Sequence, residues 1–197
     1  MLTLQSFISG IEILKKCYIG WSFDTKDEVQ VKLWYSSFKN LTDEQFKSII
    51  KDYYLHNRQP PKCVRDLTDI LVDKIYSTAK VPPEKAMSIV KDIVSECGGW
   101  EYGGKTEIYK KLRSYPSSLQ ETVKEFEDSL RNMSANDPFI TDRFRKAYAV
   151  RLRASAIREV DKRLGLGNPD GTKPIGSGAA VPVIESGSMG RALPYET

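Results

Sequence analysis

Apolar residues recur at three- and four-residue spacing along most of this chain, the pattern of helices that bury one face. The first such stretch covers about residues 4–18, with Leu4, Phe7, Ile8, Ile11 and Leu14 in its stripe. Thr25-Lys26-Asp27-Glu28 has the form of a capping box and predicts a second helix running to about Asn40. Its stripe includes Val31, Leu33, Trp34, Tyr35 and Phe38. Thr42-Asp43-Glu44-Gln45 is a second box, opening a helix to about His56 through Phe46, Ile49, Ile50, Tyr53 and Tyr54.

Pro60-Pro61 turns the chain, because proline lacks the amide proton and the torsional freedom a helix interior needs. A fourth helix is expected over about residues 64–79, with Leu67, Ile70, Leu71 and Ile75 inward. Pro82-Pro83 stops and restarts the chain. A fifth helix then runs to about Glu96 through Met87, Val90, Ile93 and Val94, ended by Gly98-Gly99. A short helix over about residues 106–113 carries Ile108, Tyr109 and Leu112. A seventh follows Pro116 with Leu119, Val123, Phe126 and Leu130. Asp137-Pro138 caps a last helix over about residues 139–164, ended by Gly165.

After Gly165 the periodicity ends. The remainder is rich in Gly, Pro and Ser and reads as a disordered tail, with two small apolar islands: Val181, Val183 and Ile184, then Leu193 and Tyr195. No strand pattern or internal repeat stands out. The expected fold is all-α: a small bundle of about eight helices in two lobes, residues 1–80 and 81–165, with a tail over 166–197.

At 197 residues and 40% hydrophobic content, the chain is long enough for a real core. The three cysteines, Cys17, Cys63 and Cys97, are odd in number and widely spaced, and they fit small apolar core residues in a reducing compartment. The N-terminus has no basic region before its apolar residues, so no signal peptide is read, and no apolar run nears the length of a membrane span. A soluble, intracellular protein is expected, with no membrane partner.

The formal net charge is a mild +4, but it is unevenly placed. Between Phe139 and Leu164 eight basic residues, Arg143, Arg145, Lys146, Arg151, Arg153, Arg158, Lys162 and Arg163, face three acids. That segment carries +5, so the rest of the chain sums to −1. Such a helix can track phosphates in a salt-dependent, sequence-tolerant way. It can equally be a solvated face with i,i+4 pairs, or meet an acidic protein.

One string fits a nucleotide-binding loop letter for letter: Gly99 through Gly104-Lys105-Thr106, the pattern GxxxxGKT. A P-loop needs a buried strand before it. Here a helical pattern precedes it, no parallel-sheet pattern exists to mount it, and the string reads as a Gly-rich interhelical loop. The only histidine, His56, sits at a helix end where a cation suits the dipole. No catalytic residue, cofactor site or metal ligand set is assigned. Tyr35, Tyr54 and Trp21 are candidates for exposed partner contacts.

The order of these signals resembles the helicase loaders and inhibitors of phages infecting Gram-positive bacteria. The resemblance lies in Leu33-Trp34-Tyr35 and Phe38 on the second helix, then Thr42-Asp43-Glu44, a helix ending near Tyr53-Tyr54, Pro60-Pro61, and a helix with Asp66-Leu67. It covers about residues 1–75. The stretches 86–130 and 139–148 look like the second half of longer members. The resemblance implies a non-enzymatic adaptor that binds a replicative hexameric helicase, restrains its ATPase and delivers it to origin-bound protein. It also implies that the tail is the adaptable contact with the helicase; its apolar islands, Val181, Val183, Ile184, Leu193 and Tyr195, or a groove between helices, would make that contact. The alternative is a DNA-binding phage protein, an origin-binding replisome organiser or a small packaging subunit, using the basic last helix.

Overall fold

The computed structural model describes residues 1–101, 103–132 and 137–166. They are all helical and turn, without a strand. The helices are α1 (Leu4–Cys17), α2 (Glu28–Phe38), α3 (Asp43–His56), α4 (Val64–Ser77), α5 (Pro83–Glu96), α6 (Gly104–Leu112), α7 (Ser117–Glu125), α8 (Glu127–Arg131) and α9 (Pro138–Leu164). The candidate contacts in the tail, Val181, Val183, Ile184, Leu193 and Tyr195, lie outside the described residues.

Two core clusters form. Phe7, Ile11, Leu14, Trp34, Phe38, Phe46, Ile49, Ile50 and Leu67 centre the first, built by α1 to α4. Val90, Trp100, Ile108, Leu112, Leu119 and Val123 centre the second, built by α5 to α8. Both clusters close on α9, the longest helix, at 27 residues about 40 Å from end to end.

The buried residues of α9 explain how one helix serves both. They are Phe144, Tyr148, Leu152, Ala156, Val160 and Leu164, each four positions after the last. Four residues overshoot one turn by roughly 40°, so the buried row winds about 200° around the helix from end to end. Phe144, Tyr148 and Leu152 face the second cluster, against α5 and α7. Ala156, Val160 and Leu164 face the first, against α4. Spread this way, the apolar residues never form a single stripe, and α9 looks merely polar and basic as a linear pattern.

Local chemistry sets the helix ends. At α3 the expected box is present: the Gln45 amide donates to Thr42 Oγ1 at 3.2 Å, and the Thr42 amide to Gln45 Oε1 at 2.8 Å. At α9, Asp137 Oδ1 accepts from the Phe139 and Ile140 amides at 2.9 and 3.2 Å. Gly165 stops α9 at φ 70°, a left-handed turn that lets the Leu166 amide reach Asp161 O at 2.8 Å.

Several expectations change. The cap of α2 is Asp27, whose Oδ1 accepts from Val29 and Gln30, while Thr25 instead donates to Glu12 Oε1 at 2.6 Å. Leu33 is not in the buried stripe. It is 65% exposed, because Val31, Trp34 and Phe38 already fill the inward face and Leu33 lies outside that arc. Leu4 is likewise exposed. Cys17 and Cys63 are exposed, since both sit at helix ends beyond the packed turns, and Cys97 is only half-buried. The single helix expected after Pro116 breaks in two, so the described residues hold nine helices rather than about eight. Phe126 adopts φ −94° and ψ 7° at the break, which turns its ring edge-on to Phe144 with centroids 5.5 Å apart.

Candidate partner-binding surface

The cations of α9 were the strongest electrostatic signal in the sequence, and the fold uses most of them internally. Arg145 and Lys146 both pair with Asp142, at 2.6 and 2.7 Å. Arg163 pairs with Glu159 at 3.0 Å. Arg151 pairs with Glu125 of α7, and Arg153 with Asp73 of α4 at 2.9 Å. These two arginines, two positions apart, tie the spine to opposite lobes. Arg143 lies over the rings of Phe126 and Phe139, 5.9 and 5.5 Å from their centroids. Arg158 and Lys162 alone make neither an ion pair nor a ring contact among the described residues. The acids on α7 and α4 are remote in sequence, so the linear pattern overstated the free positive charge.

The GxxxxGKT string follows helix α5, not a strand. Trp100 is buried, edge-on to Tyr109 at 6.3 Å. Gly103 takes φ 91° as it enters α6. A β-carbon on Gly104 would overlap the Gly99 carbonyl oxygen, so glycine is required there for close backbone approach. Lys105 Nζ is held 2.6 Å from Glu127 Oε1, and Glu127 Oε2 accepts from the Tyr109 hydroxyl at 2.7 Å. The hydrogen bonds from Lys105 and then Tyr109 hold the Glu127 carboxyl below its usual range. Burial, then the bond to Glu127, pushes the Tyr109 phenol up. The lysine a P-loop would aim at phosphate here closes the packing of α6 on α8.

A groove of about 620 Å³ between α3 and α4 carries four aspartates and His56, and its carboxylates are partnered. Asp52 pairs with Lys74, and Asp73 with Arg153. Asp69 lies 3.9 Å from Arg65. Asp66 accepts from the Lys62 and Cys63 amides at 2.6 and 3.2 Å, capping α4. Burial pushes Tyr53, in the same wall, up to about 12.

The aromatic candidates separate. Tyr35 is half-buried, its ring edge-on to Phe7 at 5.7 Å and its hydroxyl donating to Leu2 O at 2.8 Å. It fastens the N-terminus and presents little to a partner. Trp21 is half-buried against Phe23 and Trp34. Tyr54 is 50% exposed. The structure also exposes apolar residues not read as partner contacts: Ile13, Ile19 and Leu55, with Val29 and Leu33 on the outer face of α2. Ile13 was legible, since it falls outside the Phe7–Ile11–Leu14 stripe; Ile19 was not, since nothing local shows that a loop residue stays uncovered.

No protein-family model matches the chain, and no curated protein or solved structure matches it. The described residues define an all-helical protein with two cores joined by one helix, and none of its helices is long and apolar enough to cross a membrane.

Proposed function

We propose that this chain is a non-enzymatic adaptor of phage DNA replication, which binds a replicative hexameric helicase in the bacterial cytoplasm and loads it or restrains its ATPase. One contrast carries the adaptor reading. The polar groups that suggest chemistry, Lys105, Glu127 and the groove aspartates, are engaged in packing, while large apolar side chains stand in solvent on α1, α2 and α3. Exposed apolar surface of that kind suits a protein partner. The helicase as partner rests on the resemblance carried by the first 75 residues.

Against a ring of six identical subunits, modest contacts are enough, because avidity multiplies them. The test is retention of purified host and phage replicative helicases on the immobilised full chain and on a chain ending at Leu164. Retention with altered ATPase rate is the expected result; failure of both chains to retain any hexameric helicase removes the proposal. DNA binding by α9 is the rival, and three cations outside ion pairs, Arg143, Arg158 and Lys162, favour it. A salt titration on duplex DNA measures it, since each phosphate contact adds about 0.9 to the slope. A slope near three supports α9 as a DNA contact, and no binding at low salt ends that reading.

A further inference from the structure

Helices α1 and α3 run parallel and in register. At their starts the Ser6 hydroxyl donates to Asp43 Oδ2 at 2.8 Å. At their middles Gly10 lies under the Phe46 ring and Ile50, so close that an added β-carbon would stand 2.7 Å from Phe46. At their ends the Tyr18 hydroxyl donates to Asn57 O at 2.7 Å. Helical spacing continues each edge. On α1 the row is Ser6, Gly10, Ile13, Cys17; on α3 it is Asp43, Lys47, Lys51, Tyr54. The seam between the rows is closed at Ser6–Asp43 and Gly10–Phe46. Further along, its residues are exposed: Ile13, Cys17, Lys47, Lys51 and Tyr54.

Two properties of this open end point to a ligand. First, of the eleven large apolar side chains that the described residues leave exposed, four belong to the C-terminal halves of α1 and α3 or follow α1 directly: Ile13, Ile19, Tyr54 and Leu55, with Ile19 99% exposed. Second, its cations are free to meet one. Lys51 makes no ion pair among the described residues. The Thr3 amide and then the Ser6 hydroxyl hold the Asp43 carboxyl low, and Lys47 adds to this without closing an ion pair. Lys16 at the end of α1 is exposed and unpaired in the same way; Glu44, a turn before Lys47, is the opposing charge. The contrast with α9, where five of eight cations are in ion pairs, is direct.

We propose that the open end of the α1–α3 seam docks an acidic amphipathic helix of the partner protein, its apolar side chains on Ile13, Tyr54 and Leu55 and its carboxylates on Lys47 and Lys51. This rests on the adaptor reading and names the chemistry of its partner. A second copy of the chain fits worse, because a two-fold contact would set Lys47 and Lys51 against their own counterparts. Single-stranded nucleic acid fits worse too, because Ile13, Ile19 and Leu55 give bases no stacking platform and Tyr54 is one ring.

The test uses the full chain and three fluorescent probes: a leucine–glutamate amphipathic peptide, the same peptide with lysine for glutamate, and oligo(dT). Anisotropy is read for wild type, Tyr54→Ser, the double variant Lys47→Glu/Lys51→Glu, and Lys47→Arg/Lys51→Arg. Circular dichroism checks the fold; all three sites are exposed. The acidic peptide is expected to bind best and to weaken roughly tenfold with the charge reversal, while the arginine pair retains it. Equal binding of the acidic and basic peptides, indifference to both Tyr54→Ser and the charge reversal, preference for oligo(dT), or self-association abolished by the charge reversal each overturns it. A helicase retained equally by wild type and the charge-reversed chain removes this surface and leaves the adaptor intact. Failure of both the full chain and the chain ending at Leu164 to retain any helicase removes the adaptor reading instead, and the peptide titration still decides what the seam binds.

Discussion

Single atoms decide much of this fold, and two glycines show how differently. Gly104 stands against the Gly99 backbone oxygen, and backbone has no rotamer with which to yield. Gly10 stands against the Phe46 ring, which can tilt a little, and an alanine there gains about 1 kcal/mol in helix propensity. Gly104→Ala should therefore destabilise by about 2–3 kcal/mol, and Gly10→Ala by about 1 kcal/mol or less. Urea unfolding midpoints give the ranking, and an equal cost at both sites would contradict it. Glu127 is the second residue to test. Its side chain is only 14% exposed, and its partners lower its pKa from 4.5. Its contribution is thus present above its ordinary pKa and is lost as pH falls through the lowered folded value. Wild type should lose stability more steeply than Glu127→Gln between about pH 5 and pH 3. Parallel loss in the two proteins would mean that the Lys105–Glu127–Tyr109 network does not couple to folding.

At the scale of elements, α9 is the informative case. Its arginines advertise a binding helix, yet its role in the structure is to carry a winding apolar row between two cores. Truncating the row and truncating the solvent side should differ sharply. Leu152→Ala removes a buried side chain and should cost about 2–3 kcal/mol. Val150→Ala, at a site 71% exposed, should change stability by no more than about 0.5 kcal/mol. Thermal and urea unfolding of both variants measure this, and similar losses would sink the account of α9 as the shared spine. Most other elements were legible within a residue or two, because their stripes repeat at helical spacing and their caps are local: Thr42 with Gln45, Asp137 before α9, Gly165 after it. The break at Phe126 was not legible. Leu119, Val123, Phe126 and Leu130 keep helical spacing straight through it, and only contact with Phe144 reveals why the backbone turns there.

For the molecule as a whole, the shared helix makes cooperativity testable. Trp21 and Trp34 belong to the first cluster and Trp100 to the second. With Trp100→Phe, fluorescence reports the first cluster; with Trp21→Phe/Trp34→Phe, it reports the second. In each protein the fluorescence midpoint should coincide with the far-UV circular dichroism midpoint, the mark of a single transition through a common α9. Two separated steps would mean that the lobes unfold independently.

The helices, their caps and the larger share of the buried residues are legible in the linear pattern, because periodicity and capping are relations between residues a few positions apart. That pattern also placed a helix, where a P-loop needs a strand, just upstream of Lys105. Tertiary structure alone decided which charges are free. Arg151 meets Glu125 and Arg153 meets Asp73 only when α9 lies between α7 and α4, whereas Lys51, on a helix of no special charge, stays unpaired. It alone also decided that Leu33 and Ile19 face solvent and that Ile13 and Tyr54 line one seam. Helical spacing gives a residue's angle on its own helix, and only packing fixes which neighbour, if any, covers it.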